Sequence, residues 1–301
     1  MVKTSSVWFF GTSHFAVPYL RALTADDRFD VTLVITQPDK PAGRGKMMTP
    51  PPIKDIAEKQ GLKVLQPKNI NDYSQFSILN SQFVPPDFFV VIAYGQILSE
   101  EILRIPRIAP INIHYSLLPR WRGAAPIQHS ILAGDTETGI AIQKMVRELD
   151  AGMILAQEKI AIRPRETFTS LHDRLAERGV PLLIQTLLHP LTPIPQSTTG
   201  VTVCRKLRRE DGVVDPETMT AGQIDRKVRA LNPWPGVTVT LSGQSVKLLE
   251  TSLESVRSST PLPCAHGTIL HLVTVQPAGK KPMAGAEWMR GRQPRNPKQP
   301  K

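Results

Sequence analysis

The chain has 301 residues, of which 41% are hydrophobic and 21% are charged, and its formal net charge is +11. This length is enough for two hydrophobic cores, one of ordinary α/β size and one smaller. Two cysteines are too few for a disulfide framework, and no apolar run reaches the roughly 20 residues that span a bilayer. We therefore expect a cytoplasmic protein without a signal peptide or a membrane segment.

The positive charge is concentrated in the C-terminal third. From Gly200 onward the chain has sixteen Lys and Arg against eight Asp and Glu, so +8 of the net charge lies there. Such asymmetry indicates a polyanionic partner that is bound mainly by the C-terminal part. A basic surface without a specific partner would give the same charge balance.

Strand-like and helix-like segments alternate through the first two thirds of the chain. Residues 6–10 and 30–36 are apolar runs typical of buried strands, and residues 16–23 between them have helical spacing. This alternation predicts a doubly wound, Rossmann-like α/β domain with a parallel sheet. The further elements predicted in this part are helices at 53–60, 124–132 and 167–188 and strands at 63–65, 87–95, 111–114, 140–145 and 154–162.

Residues 37–52 form a segment rich in proline, QPDKPAGRGKMMTPPP, which we expect to be a loop without regular secondary structure. A loop of this length is usually functional or disordered. Its basic residues are Lys40, Arg44 and Lys46, and a guanidinium such as that of Arg44 can hold a phosphate with two hydrogen bonds. The segment predicts a phosphate contact, with a solvated flexible loop as the alternative.

Residues 111–153 carry the candidate active site. Asn112 and His114 lie on the same face of the predicted strand because strand side chains alternate, and Asp150 follows in a turn. An amide and an imidazole can bind the negative charge that develops on a carbonyl oxygen under attack by an amine. A carboxylate can orient the imidazole or relay a proton. The three residues fit acyl transfer without a protein nucleophile, although the same spacing also fits a polar strand end and an ordinary turn.

A stretch rich in proline separates the two parts of the chain. We predict a catalytic domain at 1–189, a linker at 190–203, a small β-barrel domain at 204–289 and a disordered basic tail at 290–301. In the second domain a helix-like run and several short strand-like runs with turn residues between them are typical of a small barrel. These runs lie at 221–231, 237–241, 246–250 and 269–275.

Basic residues of the second domain are candidates for contacts with a phosphate backbone, although each one taken singly is typical of a solvated surface charge. The candidates are Arg205, Lys206, Lys280 and Lys281, together with a helix face of Arg226, Lys227 and Arg229. Cys264, His266 and His271 lie close together in the sequence but lack a second ligand pair. We therefore expect no metal site.

Three motifs carry a resemblance to a known family. They are NIH at 112–114, SLLP at 116–119 and LDAG at 149–152, and the run PRWRGAAPIQ at 119–128 extends the match. These motifs resemble those of the formyltransferases that use 10-formyltetrahydrofolate, in particular the branch that acts on methionyl-tRNA. The resemblance extends from about residue 10 to about residue 283.

The resemblance implies a function for the candidate site. Asn112, His114 and Asp150 would be the catalytic trio that moves a formyl group from 10-formyltetrahydrofolate to the α-amine of initiator methionyl-tRNA. Tyr94 and Gly95 would lie at the pterin ring, although Tyr94 is equally typical of a core aromatic. The residues implied to line the rest of the folate site are Ser116, Leu117, Leu118 and Pro119.

The resemblance also implies that the loop at 37–52 approaches the tRNA acceptor end and that the C-terminal domain is an OB-like barrel that binds tRNA. Here the barrel is about a hairpin shorter than is usual, near residues 270–272, so we expect it to be open at an edge. Tyr115 stands where a small residue or proline is usual, and residues 146–148 depart from the usual acidic-then-glycine pattern. We expect a monomer.

Two alternatives remain beside this function. A formyltransferase for a small amine or an amino sugar would use the same trio but would leave the basic C-terminal domain unexplained. A tRNA-binding protein with impaired catalysis would account for the shortened barrel and the altered turn, but the intact trio argues against it.

Overall fold

The structure is a computed structural model that describes residues 4–42, 45, 47–72, 77, 81 and 83–291. The chain divides into two compact units. The first comprises Met1–Pro126, Thr138–Ala161 and His172–Cys204, and the second comprises Ile127–Glu137, Ile162–Leu171 and Arg205–Lys301. The second unit thus includes two segments that precede residue 189. The domain limits given above stay a prediction.

Helices and strands alternate through the first two thirds of the chain, as the sequence predicted. The strands are β1 (Ser5–Gly11), β2 (Phe29–Ile35), β3 (Lys40–Ala42), β4 (Met47–Thr49), β5 (Val64–Leu65), β6 (Phe88–Ile92), β7 (Ala109–His114), β8 (Arg122–Gly123), β9 (Glu137–Lys144), β10 (Ile154–Ala161) and β11 (Val203–Cys204). The helices whose limits lie within the described residues are α1 (Val17–Thr24), α2 (Pro52–Lys59), α3 (Glu100–Leu103), α4 (Pro126–Ala133) and α5 (Phe168–Leu188).

The first unit is built on a seven-stranded sheet with the order β10-β9-β7-β6-β1-β2-β5. The pairs from β7 through β6, β1 and β2 to β5 are parallel, which confirms the Rossmann-like fold class. β1 and β6 are apolar along almost their whole length because both of their faces are covered. Trp8 of β1 stacks on Phe89 of β6 with ring centroids 5.3 Å apart, in one of the core clusters of this unit.

The sheet differs from the prediction at one edge, because β9 is antiparallel to β7 and Asn112 lies opposite Gln143. The parallel sheet predicted from the sequence is therefore wrong at this edge, where Asp150 follows the antiparallel β9. The cause is the connection after His114. β9 begins at the same end of the sheet at which β7 stops, so the connection does not return to the opposite end, as it would between parallel strands.

The segment at 37–52 contains regular structure. β3 and β4 form an antiparallel hairpin in which Lys40 lies opposite Thr49. The prediction of a loop without secondary structure is therefore wrong for these six residues, because the two short segments pair across the connection between them. Arg44 and Lys46 lie outside the described residues.

The C-terminal part of the second unit contains a six-stranded sheet and two helices in the described residues. The helix α6 (Ala221–Leu231) has the predicted limits, and Thr220 and Gln223 form a capping box at its N-terminus. The sheet runs β12-β13-β14-β16-β15, with β17 paired to β16; the β12–β13 pair is parallel and the other pairs are antiparallel. The remaining elements are β12 (Val213–Val214), β13 (Val237–Leu241), β14 (Gln244–Ser252), β15 (Thr260–Pro263), β16 (Ile269–Pro277), β17 (Met283–Ala284) and α7 (Gly285–Arg290).

Within the described residues the strands of this sheet form an open path from β12 to β15, in keeping with the predicted open edge. Residues 292–301, which make up most of the predicted basic tail, lie outside that part of the chain. Among the described residues, no helix is long and apolar enough to cross a membrane.

Candidate active site

The structure brings Asn112, His114 and Asp150 together. Asn112 and His114 project from one face of β7, and Asp150 lies in the turn between β9 and β10. The Nδ2 atom of Asn112 is 3.4 Å from Oδ1 of Asp150, and Nδ1 of His114 is 3.5 Å from Oδ2. The side chains of His114 and Asp150 are only 6% and 9% exposed, so their contact is shielded from water.

The carboxylate of Asp150 has two further donors. The Gly123 N–H donates to Oδ2 over 2.8 Å, and Nε2 of Gln143 donates to Oδ1 over 2.9 Å. Oδ1 thus accepts from Gln143 and Asn112, and Oδ2 accepts from Gly123 and lies beside Nδ1 of His114. Because an ionised carboxylate only accepts, this arrangement fixes the orientation of Asp150.

Glycines allow the backbone to approach this closely. A Cβ atom at Gly123 would overlap the main-chain carbonyl of Cys204, and one at Gly152 would overlap the carbonyl of Lys144. Gly123 also has a φ of 120°, which favours glycine. Asp150 itself has a φ of 52°, a conformation that Asp tolerates better than most residues. These constraints account for Asp150 and Gly152 in the LDAG sequence of the turn.

The second ring nitrogen of His114 faces the main chain. Its Nε2 lies 2.8 Å from the carbonyl oxygen of Trp121, which can only accept, so Nε2 carries the hydrogen in this bond. Trp121 is held in turn by its N–H, which donates to Oγ1 of Thr202 over 2.8 Å. The imidazole is therefore fixed between a carboxylate and a carbonyl.

The residues predicted for the folate site follow β6 and β7, which are parallel neighbours with Val91 opposite Asn112. Ser116 is fully buried, and its Oγ donates to the carbonyl of Arg120 over 2.6 Å. The carbonyl of Leu118 accepts from Gln157, and Leu117 packs so closely on Gly139 that a Cβ there would overlap it. The segment from Ser116 to Pro119 is thus held in place by its own contacts.

Tyr94 is a core residue in this structure. It is 2% exposed, and its ring meets that of Phe10 edge to face at 5.4 Å. Burial raises the pKa of its hydroxyl. Gly95 beside it is exposed and has a φ of 90°. The exposed Gly95, rather than Tyr94, is therefore the residue that a ligand at this edge can reach.

Most of the predicted tRNA-binding residues that the structure describes are exposed. Lys40 lies on β3, Lys280 and Lys281 follow β16, and Lys206 follows β11. Arg205 forms a bidentate ion pair with Asp211, and this pairing lowers the pKa of that carboxyl to about 2.

The helix face of Arg226, Lys227 and Arg229 is engaged within the second unit. Nε of Arg226 donates to the carbonyl of Leu132 over 3.2 Å, and Nζ of Lys227 donates to that of Asp211 over 2.8 Å. Nε of Arg229 lies 2.9 Å from Oδ2 of Asp225. These contacts hold the unit together, so the three cations are less available to phosphates than the sequence suggested.

The departures noted in the sequence are accommodated away from the trio. The hydroxyl of Tyr115 donates to that of Tyr19 over 3.0 Å, and its ring meets His172 edge to face at 5.5 Å. Residues 146–149 are exposed. Within the described residues no group of three or more His, Cys, Asp and Glu side chains could hold a metal ion.

Sequence reasoning did not identify Gln143 or Gln196. Gln143 is 2% exposed on β9 and contacts Asp150. The available signal in the sequence was a polar residue directly after the apolar run 140–142. Gln196 lies in the predicted linker, yet its Nε2 donates to the carbonyls of Asp150 and Gly152. Nothing in the sequence around Gln196 indicates this contact.

The first unit is thus an α/β domain with a polar site of the kind that acyl transfer requires. Two family models match the chain, one described as Formyl transferase over residues 5–187 and one as Formyl transferase, C-terminal domain, over residues 206–293. The chain therefore belongs to the formyl transferase family, and the resemblance seen in the sequence is confirmed.

Among curated relatives, methionyl-tRNA formyltransferase of Paracoccus denitrificans is 41% identical over 296 residues, with 95% of this chain and 97% of the relative covered. Methionyl-tRNA formyltransferase of Magnetococcus marinus is 42% identical over 300 residues, with 95% of each covered. The chain is thus similar to these enzymes along nearly its whole length.

Solved structures share the fold at lower identity. HypX from Aquifex aeolicus, in complex with tetrahydrofolic acid, gives a TM-score of 0.64 at 14% identity, and the alignment covers 95% of this chain and 47% of HypX. An N-formyltransferase from Helicobacter canadensis, in complex with folinic acid and dTDP-3-aminofucose, gives a TM-score of 0.63 at 15% identity. The alignment covers 90% of this chain and 99% of that enzyme. Methionyl-tRNA formyltransferase from Clostridium thermocellum gives a TM-score of 0.59 at 14% identity, and the alignment covers 91% of this chain and 99% of that enzyme.

Proposed function

We propose that this protein transfers the formyl group of 10-formyltetrahydrofolate to the α-amine of methionine esterified to initiator tRNA. One observation carries the proposal: Asn112, His114 and Asp150 converge at one edge of the sheet, in a chain 41% identical to a methionyl-tRNA formyltransferase over 95% of its length. The three residues supply an amide donor, an imidazole donor and a carboxylate, which are the groups that attack of an amine on a formyl carbon requires.

The chemistry proceeds through a tetrahedral intermediate. The neutral amine forms a bond to the formyl carbon, and the electron pair of the C=O bond moves onto its oxygen. Nδ2 of Asn112 and Nε2 of His114 donate to this oxyanion. The bond from carbon to folate N10 then breaks, and the proton released by the amine reaches N10 through Asp150, directly or through a water.

Donation from His114 to the oxyanion requires a change of partner. In the structure its Nε2 hydrogen is taken by the carbonyl of Trp121, 2.8 Å away. The developing oxyanion is a stronger acceptor than a main-chain carbonyl, so the hydrogen shifts toward the substrate as charge builds up. Asp150 keeps the ring in place during this shift through its contact with Nδ1.

The folate site suits its proposed ligand in two respects. Residues 116–119 are separated from His114 only by Tyr115, and the apolar side chains of Leu117, Leu118 and Pro119 follow the reacting groups in the chain. The exposed Gly95 offers backbone groups at the same edge, because β6 and β7 are parallel neighbours. Two of the structural neighbours were solved with folates, tetrahydrofolic acid and folinic acid, which supports a folate co-substrate.

The charge of the second unit favours tRNA over a small amine. The chain from residue 200 onward has a net charge of +8, and Lys206, Lys280 and Lys281 are exposed there. A polyanion gains affinity from such a surface by releasing counterions, whereas a small amine gains nothing from it.

The test measures transfer of a labelled formyl group from 10-formyltetrahydrofolate to a panel of acceptors. The panel contains charged initiator tRNA, charged elongator tRNA, free methionine, uncharged tRNA and a nucleotide-linked amino sugar. We expect label on the charged initiator tRNA and none on the last three acceptors. Label on the amino sugar instead would replace this proposal by the small-amine alternative, and tRNA binding without transfer to any acceptor would favour a catalytically impaired binding protein.

A further inference from the structure

We propose that Gln196 is a positioning residue for formyl transfer, whose side-chain amide ties together the two backbone segments that hold the catalytic trio. The inference rests on the function proposed above. Gln196 touches none of the reacting atoms, and it acts through Asp150 on one side and through Arg122 on the other.

The amide nitrogen of Gln196 fixes the turn that carries Asp150. Nε2 donates to the main-chain carbonyl of Asp150 over 2.8 Å and to that of Gly152 over 2.7 Å, so both of its hydrogens are used. Asp150 has a left-handed φ of 52°, and a residue in this conformation needs support from its surroundings. The bonds from Gln196 supply that support on the backbone, while Gln143 and Gly123 hold the carboxylate.

The amide oxygen of Gln196 fixes the opposite segment. Oε1 accepts from Nε of Arg122 over 3.0 Å and from its Nη2 over 2.7 Å. Arg122 lies between Trp121, whose carbonyl takes the Nε2 hydrogen of His114, and Gly123, whose N–H donates to Asp150. One side chain therefore joins the turn of Asp150 to the segment that contacts both Asp150 and His114.

The chain around Gln196 is anchored independently of its side chain. Ile154 and Ile194 exchange two main-chain hydrogen bonds of 2.8 Å each, and the carbonyl of Thr202 accepts from the main-chain N–H of Arg122 over 2.9 Å. β11 then pairs with β8. Loss of the Gln196 amide should therefore leave the segment in place and loosen only the contacts to the site, so a variant remains folded and testable.

The expected consequence is a loss in the chemical step and not in substrate binding. A displacement of about 1 Å in a catalytic group can slow a reaction about 100-fold because the reacting atoms no longer align. Asp150 is already at 3.5 Å from Nδ1 of His114, so a further shift weakens the contact that orients the imidazole.

Two substitutions separate the two halves of the contact. Gln196→Leu removes all four hydrogen bonds, whereas Gln196→Glu keeps an acceptor for Arg122 and removes the donors to Asp150 and Gly152. We expect kcat to fall at least tenfold in both, with the KM for methionyl-tRNA within about twofold of the unmodified protein. Ser197→Ala is the matched control, because Ser197 is the next residue and its exposed side chain bonds to Thr199, two residues further on. It should leave both parameters unchanged.

Arg122→Leu supplies a second line of test. If Gln196 and Arg122 act as one unit, the fold decrease in kcat of the double variant is smaller than the product of the decreases in the two single variants, as expected for coupled residues. Independent effects that multiply would overturn the proposal, and so would a folded Gln196→Leu variant with unchanged kcat or with a change in KM alone.

Hydrogen exchange separates failure of this inference from failure of the proposed function. The amides of residues 150–153 should exchange faster in Gln196→Leu than in the unmodified protein, and amides of β1 should not change. The hydrogen-exchange measurement does not depend on enzyme activity. If the unmodified protein transfers no formyl group although the exchange result holds, the proposed function fails while the support of the turn by Gln196 stands. Unchanged exchange at the turn overturns the inference whatever the activity.

Discussion

His114 donates its Nε2 hydrogen to the main-chain carbonyl of Trp121 over 2.8 Å, while its Nδ1 faces Asp150. The hydrogen thus lies on the nitrogen that the proposed mechanism requires, and it changes partner from the Trp121 carbonyl to the oxyanion as charge builds up. In the proposed mechanism the trio supplies the reacting groups, and the bonds from Gly123, Gln143 and Gln196 hold these groups in place.

Removal of the imidazole tests its role in stabilising the oxyanion. We expect His114→Ala to lower kcat by about 10²- to 10³-fold, because loss of one oxyanion donor costs about 3–4 kcal/mol in the transition state. The affinity for tRNA, measured by filter binding, should stay within about twofold. Turnover at the rate of the unmodified protein would contradict the mechanism.

Gln143 is expected to hold the carboxylate of Asp150. Gln143→Leu removes the 2.9 Å hydrogen bond to Oδ1, and we expect kcat to fall about 10- to 100-fold, since a hydrogen bond to a charged group contributes about 1.5–3 kcal/mol. Gln60→Leu, at the exposed end of α2, is the control and should have no effect. Equal kinetics for the two variants would show that Asp150 does not depend on Gln143.

Binding of tRNA through Lys280 and Lys281 should appear in the salt dependence. Replacement of both residues by Ala should weaken tRNA binding and reduce the slope of log K against log salt by about 1 for each phosphate that the protein no longer neutralises. The control is Lys59→Ala at the end of α2, in the first unit. A slope that stays the same in the double variant would remove these lysines from the interface.

Asp225 holds the second unit together as a buried ionic centre. It is 2% exposed and pairs with Arg165, Arg229 and the hydroxyl of Thr251. We expect Asp225→Ala to reduce the free energy of unfolding by about 3 kcal/mol, because the change leaves Arg229 largely buried without its carboxylate. Glu254→Ala, on the surface of the same unit, should change it by less than about 0.5 kcal/mol in the same chemical unfolding experiment. Similar losses for both would contradict the role of Asp225.

His172 makes stability depend on pH. Burial lowers its pKa below the ordinary 6.5, so the folded chain binds this proton more weakly than the unfolded chain does. The stability from neutral His172 is therefore present above pH 6.5 and is lost as the pH falls below it, by at most about 1.4 kcal/mol per pH unit. Urea unfolding measured at pH 8 and at pH 5 should show that the free energy of unfolding falls less between these pH values in His172→Gln than in the unmodified protein. Parallel losses would exclude this residue as the cause.

The sequence predicted those parts of the site that depend on local geometry. The alternation of strand side chains places Asn112 and His114 on one face, and the structure brings Asp150 to them. The parts that it did not predict depend on pairing between distant segments. The contacts of Gln196 with Arg122 and Asp150 span 74 and 46 residues, and the antiparallel direction of β9 is set by where its connection enters the sheet.

The hairpin at 40–49 shows the same limit. Its strands are three residues each, too short for a periodic pattern to distinguish from loop, and only their pairing identifies them. In contrast, α6 has its predicted limits, because its apolar spacing and the Thr220 capping box are both local signals.

The most direct test of the central claim is a single-turnover measurement with the protein in excess over labelled 10-formyltetrahydrofolate, in the presence of charged initiator tRNA. The account predicts that label appears in N-formylmethionine released from the tRNA, and that Asn112→Ala and His114→Ala each slow this step about 100-fold or more. Absence of label in the formylated amino acid with the unmodified protein, or transfer at an undiminished rate by the His114 variant, would contradict it.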